Sequence, residues 1–240
     1  MRLGFLGTGT ISEAVVRGLA PEGHEIAVSE RNAGRAARLA GDFTNVTVAS
    51  NQRVVDASAV VFLGLMAELA AEVLETLRFR ADQRVVSFMA GMPLDEVAVL
   101  VAPARAEAVM LPYPGIAQGG SPILALGEVG VIEALFAPAN TVYALRDAAE
   151  LEAYLCAQAV LSPAVQMVGV AAEWLGGENA QGEAFLRHLV GSSLMSGACQ
   201  PMLDALNTEG GYNQRLRQHM EGAGMRAALS EGLDRLEDKG

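Results

Sequence analysis

Gly7, Thr8, Gly9, Thr10, Ile11 and Ser12 stand directly after a short apolar run, residues 3–6, and directly before a helical pattern carrying Glu13, Ala14, Val15 and Val16. A glycine-rich turn between a strand and a helix can hold a pyrophosphate. Its first glycine permits the tight turn, its second lets the backbone approach the anion, and the helix N-terminus offers N–H groups that lack intrahelical partners. Here the third small position is Ser12, which still allows a helix to pack close to a sheet. A purely structural turn is the alternative reading. About 20 residues further on, where such a fold meets the adenosine ribose, stand Ser29, Glu30, Arg31 and Asn32. Glu30 could accept hydrogen bonds from a ribose 2′-hydroxyl, favouring NAD. Arg31 with Ser29 and Asn32 could hold a 2′-phosphate, favouring NADP. NADP is the preferred reading and NAD the alternative.

Other chemistries lack residues. The chain has 240 residues, a formal charge of −11 and a single lysine, Lys239. That count excludes Schiff-base chemistry and a P-loop lysine. The acidic balance without a basic tract argues against nucleic acid as a partner. Cys156 and Cys199 lie far apart, with no CxxC pattern and no companion histidine cluster, so no metal site is expected. His24, His188 and His219 read as surface or satisfied core positions. The apolar stretch 57–71 contains Glu68 and is short of a bilayer span, and the N-terminus has no signal-peptide pattern. A soluble cytoplasmic protein without a membrane partner is expected.

Short apolar runs at residues 3–6, 25–29, 46–48, 59–64, 84–87, 108–111 and 123–126 alternate with helical patterns. Alternation of this kind predicts an α/β fold, a Rossmann-type doubly wound sheet over residues 1–146. Pro93 followed by Asp95 and Glu96 marks one helix start. From residue 147 to 240 the pattern predicts an all-helical domain with stretches 147–174, 178–206 and 214–238, the last interrupted at Gly222 and Gly224. Leu151, Tyr154, Leu155 and Gln158 have the spacing of one helix face.

Taken together these segments resemble the pyrroline-5-carboxylate reductases, which reduce a cyclic imine to proline. Residues 3–11, Ala14, Gly18 and Leu19 are similar to the family's opening GFIGxGNM…A…GL. Asn51, Val54, Val55, Asp56 and residues 60–63 resemble its Asn…VV…D segment with the strand that follows. Val86, Ser87, Ala90 and Gly91 resemble its vSxaAG, and Gly210, Gly211, Gly222, Gly224, Arg226, Ala228 and Leu229 its C-terminal pattern. The chain departs from the family at four places. Met66 and Ala67 replace a Lys-Pro pair, and residues 111–114 form a loop one residue shorter than MPNTP. Residues 161–164 reduce the SGSGPAY helix entry, and residues 209–213 replace PGGTT.

The resemblance implies a homodimer interlocked through the C-terminal helices and a role in proline biosynthesis. Pyrophosphate is expected on Gly7, Thr8, Gly9, Thr10 and Ile11, adenosine by Ser29, Glu30, Arg31 and Asn51, and nicotinamide by Leu65, Met66, Ala90 and Gly91. The resemblance places the imine by Pro112, Tyr113, Gly210, Gly211, Tyr212 and Asn213. Hydride chemistry belongs to the nicotinamide, so a protonated imine requires no obligatory protein acid. Tyr212, Asn213, Tyr113 and Ser162 are the candidate proton donors. Three alternatives stand beside this reading: a reductase of another imine or small carbonyl compound, a non-catalytic NADP-binding sensor, and a 3-hydroxyacid dehydrogenase. The last is disfavoured because its family uses a lysine that this chain lacks. A Gly9→Asp substitution should abolish cofactor binding through lost space and added charge; unchanged NADPH affinity in that variant would defeat the assignment.

Overall fold

Strands that are apolar along their whole length need cover on both faces, and the structure supplies it. The computed structural model describes residues 1–176 and 180–237. Glu178, within the second expected helical stretch, and Lys239 lie outside the described residues. Eight strands form one sheet: β1 Arg2–Leu6, β2 Glu25–Ser29, β3 Val46–Ala49, β4 Val60–Leu63, β5 Arg84–Ser87, β6 Arg105–Pro112, β7 Pro122–Gly127 and β8 Thr141–Leu145. Their order is β3-β2-β1-β4-β5-β6-β7-β8. Strands β1 to β6 run parallel to their neighbours, whereas β7 is antiparallel to β6 and β8 parallel to β7. The expected Rossmann-type α/β class is borne out.

Period-2 alternation splits the core into two layers. Leu3, Phe5, Ile26, Val28, Val60 and Phe62 enter one layer, with α1 Thr10–Leu19, α2 Ala33–Asp42 and α6 Gly130–Phe136. Leu6, Ala27, Val61, Leu63 and Val85 enter the other, with α3 Asn51–Ala57, α4 Ala67–Leu74 and α5 Leu94–Val101. At the centre of the first layer the Phe62 ring stacks on Phe5 at 4.8 Å and meets Phe136 edge-on at 6.3 Å. Gly4 lets α3 lie close to β1, since a Cβ there would sit 2.3 Å from Ser58 Oγ.

Strand β8 was not among the expected runs. It is a sheet edge on which only Leu145 is buried, so it lacks the apolar continuity that marks the inner strands.

The chain divides into two units, Met1–Leu151 and Glu152–Gly240, and the division falls inside α7 Ala148–Ala157. The second unit continues through α8 Leu161–Trp174, α9 Ala180–Met195, α10 Cys199–Ala205, α11 Tyr212–Gly222 and α12 Met225–Glu237. Gly224, at φ +89°, separates the last two, as the glycines there suggest. Residues 196–198 separate α9 from α10 within the expected helical stretch 178–206.

The expected face on α7 is incomplete: Leu151 is buried, Tyr154 and Gln158 are exposed. Among the described residues after Leu151, Gly182 alone is buried. Val165, Trp174, Phe185, Leu189, Leu194 and Leu216 are all exposed.

Replacing Phe62, fully buried at the centre of its layer, by Ala should cost about 3–5 kcal/mol in a urea unfolding series. A loss below about 1 kcal/mol would contradict its placement at the centre of the core.

Candidate functional site

The glycine loop leaves the carboxyl end of β1, and β1 lies between β2 and β4, where the strand order reverses. In open α/β sheets that crevice is where ligands bind. Gly7 has φ +88°, a left-handed conformation that excludes most side chains. A Cβ on Gly7 would lie 2.2 Å from the Gly64 carbonyl oxygen. Gly9 differs: its φ is −77°, and nothing stands within 4 Å of where its Cβ would be. Gly9 therefore keeps open space above the N-terminus of α1, and no side chain caps that helix. The first N–H groups of α1 are left for an anion to accept. These features fit a pyrophosphate.

The loop is braced from β2. The Gly7 N–H donates to Ser29 Oγ at 2.8 Å, and the Thr8 hydroxyl donates to the Ser29 carbonyl at 2.7 Å. Ser29 is fully buried, so its hydroxyl holds the loop and does not face a ribose phosphate. This corrects the expectation that it would share a 2′-phosphate with Arg31. Asn32 is likewise engaged, its Oδ1 accepting the Arg35 N–H at 3.2 Å as the cap of α2.

Glu30 and Arg31 are exposed at the end of β2, and Arg31 has no ion pair among the described residues. Arg35 and Arg17, in contrast, both pair with Glu13, at 3.0 and 3.2 Å. Arg31, exposed at the end of β2, is thus a guanidinium that can meet an anion there.

The other expected cofactor residues follow the same edge. Asn51 opens α3 after β3, Leu65 and Met66 follow β4, and Ala90 and Gly91 follow β5. Met66, where the resembled family has lysine, is 63% exposed at the cap of α4. Residues 7–11, Glu30, Arg31, Asn51, Leu65, Met66, Ala90 and Gly91 therefore sit at or just beyond the carboxyl ends of five neighbouring parallel strands.

Pro112 ends β6 on that edge, and Tyr113 follows at the cap of a short 3-10 turn, Pro114–Ala117. Burial pushes the Tyr113 phenol above its ordinary pKa. Ser162, Gly210, Gly211, Tyr212 and Asn213 belong to the second unit. Ser162 is exposed in the first turn of α8. Gly210, at φ +71°, donates its N–H to Gln214 Oε1 at 2.8 Å, and Gly211 caps α11. Tyr212, the first residue of that helix, is 90% exposed.

One determinant escaped the sequence. Ser12 is buried against the end of β4, and a Cβ on Gly64 would fall 2.0 Å from Ser12 Oγ and 3.4 Å from its Cβ. The serine at the third small position of the glycine loop fits because position 64 has no side chain. The two residues are far apart in sequence, and only their joint smallness could have signalled the contact. Gly64→Ala should lose about 1–3 kcal/mol in chemical denaturation, and adding Ser12→Ala should recover more than half of it. Losses that simply add would contradict the contact.

Three comparisons bear on this geometry. Residues 2–91 match the family model described as NADP oxidoreductase, coenzyme F420-dependent. No curated protein matches the chain. Among solved structures, a 1-pyrroline-5-carboxylate reductase from Streptococcus pyogenes is 21% identical with a TM-score of 0.80, over 100% of this chain and 97% of that one. A Plasmodium falciparum pyrroline carboxylate reductase with NADP bound is 12% identical with a TM-score of 0.79, over 100% and 96%. An imine reductase from a Pseudomonas species is 17% identical with a TM-score of 0.63, over 98% and 87%. The chain therefore carries the fold of the pyrroline-5-carboxylate reductases over its whole length, as its sequence resemblance implies.

Proposed function

We propose that the chain is an NADP-dependent reductase of a cyclic imine, with the conversion of pyrroline-5-carboxylate to proline as the leading reaction. The observation that carries this reading is the row of small, open or unpaired residues along the carboxyl ends of β1 to β5. The open backbone at Gly9 accommodates a pyrophosphate, and Arg31 is available to a 2′-phosphate. When bound, the nicotinamide supplies the hydride for the C=N carbon. The chain's part is to hold that ring over residues 65, 66, 90 and 91 and to orient the imine. An imine protonated before binding needs no further acid. Where a hydrogen bond to it is required, Tyr113 in the first unit and Ser162, Tyr212 and Asn213 in the second are the candidate donors. The NADP-bound Plasmodium neighbour and the imine reductase of the same fold support the reading.

A second reading, a reductase of a different imine, is favoured by Met66 in the lysine position and by the altered residues 209–213. We further read the chain as a soluble cytoplasmic homodimer. The run Ala148–Trp174 is long and apolar enough by length and composition to cross a bilayer. Exposed apolar side chains also stand on α9 and α11, however. A surface spread over several helices suits a second copy of the same unit better than it suits a single span.

NADPH should be consumed with pyrroline-5-carboxylate. Consumption with another cyclic imine alone would select the second reading, and binding without consumption of any imine or keto acid would select a sensor. Arg31→Ala should weaken NADPH by about tenfold or more while leaving NADH nearly unchanged. Equal losses for both cofactors would contradict a phosphate contact at that residue.

A further inference from the structure

The sheet has a second polar concavity, at the end remote from the glycine loop. Strands β5 and β6 run in parallel from Arg84 and Arg105 toward Ser87 and Pro112, so both arginines stand at the amino ends of their strands, where they are register neighbours. Strand β7 returns antiparallel to β6 and delivers Glu128 to the same end, its N–H donating to the Glu107 carbonyl at 2.7 Å. Asp82, Arg84, Arg105, Glu107 and Glu128 line a pocket of about 420 Å³. That volume lies within the range of small-molecule sites.

The charges of this pocket do not all pair with one another. Arg84 holds Glu107 at 2.7 Å, and the Glu107 side chain is only 4% exposed. Releasing Arg84 to an outside ligand would strand a buried carboxylate, so that pair is fixed. Asp82 is taken by Arg80 at 3.1 Å. One cation and one anion remain: Arg105 and Glu128 are exposed and have no ion pair among the described residues.

We propose that this pocket binds a small zwitterion of the amino-acid class, its carboxylate on Arg105 and its ammonium on Glu128. A dianion is disfavoured by the carboxylates of Glu107 and Glu128, and a simple cation by the two guanidinium groups. A zwitterion satisfies both open charges and leaves the Arg84–Glu107 pair intact. The site lies within the first unit and does not depend on the proposed reductase activity. Its position at the amino ends of the strands separates it from the cofactor edge.

Isothermal titration of the full-length protein, free of nucleotide, with glycine and L-alanine tests the proposal, with acetate and methylammonium as single-charge controls. Saturable binding is expected for both amino acids, with Kd of about 1 mM or tighter, and at least about tenfold weaker binding of each control. Arg105→Gln and Glu128→Gln should each weaken amino-acid binding by at least about tenfold, whereas Arg105→Lys should keep it within that factor. Both side chains are exposed, so the ligand-free thermal midpoint should not move. Absence of binding at about 10 mM, binding that either Gln variant leaves intact, or acetate binding as tightly as glycine would overturn the proposal.

Discussion

The close crossing of the first βα loop over the end of β4 is the constraint on which the rest of the molecule depends. Gly7 can turn only in the left-handed region, and its α-carbon lies so near the Gly64 carbonyl that no side chain fits between them. Gly64 in turn leaves the space that Ser12 occupies. The Gly7 N–H and the Thr8 hydroxyl are tied to Ser29, so β2 holds the loop from the other side. A loop fixed at three points aims the N-terminus of α1 along the crevice at the strand-order reversal, where its N–H groups can meet an anion at little cost in ordering. The two-layer core, with Phe62 at its centre, keeps β1 and β4 in register so that this crossing persists.

Much of the first unit was legible because its signals are local. Continuous apolar runs mark inner strands, a glycine-rich turn marks the first helix start, and Gly222 with Gly224 marks a helix break. What escaped depends on neighbours distant in the chain. Ser29 reads as a polar residue beside a ribose site, yet its burial makes it a brace; sequence cannot distinguish an inward from an outward hydroxyl at a strand end. Ser12 reads as a departure from the third glycine, and only Gly64 opposite shows why it fits. Strand β8 lacks apolar continuity because an edge strand needs little cover.

The second unit shows the limit of pattern reading in another way. Its helices are identifiable from long stretches without strand-like runs, but the stripe over Leu151, Tyr154, Leu155 and Gln158 does not become a core face. Large apolar side chains on α8, α9 and α11 remain at the surface of the single chain. Hydrophobic periodicity tells which residues want cover and is silent on whether the cover comes from the same chain or from another copy. The single lysine bears on the first unit in a sharper way. Met66 stands exposed at the cap of α4, beside the expected nicotinamide position, and this is one of the four places where the chain departs from the reductases it resembles.

As a dinucleotide site, the carboxyl edge of β1 to β5 would turn its nicotinamide end toward an imine. A crystal structure of the protein grown with NADPH tests this most directly. Pyrophosphate density is expected on the backbone of residues 7–11, the 2′-phosphate against Arg31, and nicotinamide C4 beside Leu65, Met66, Ala90 and Gly91. Density for the dinucleotide anywhere else, or a crevice that stays empty at saturating NADPH, would contradict it.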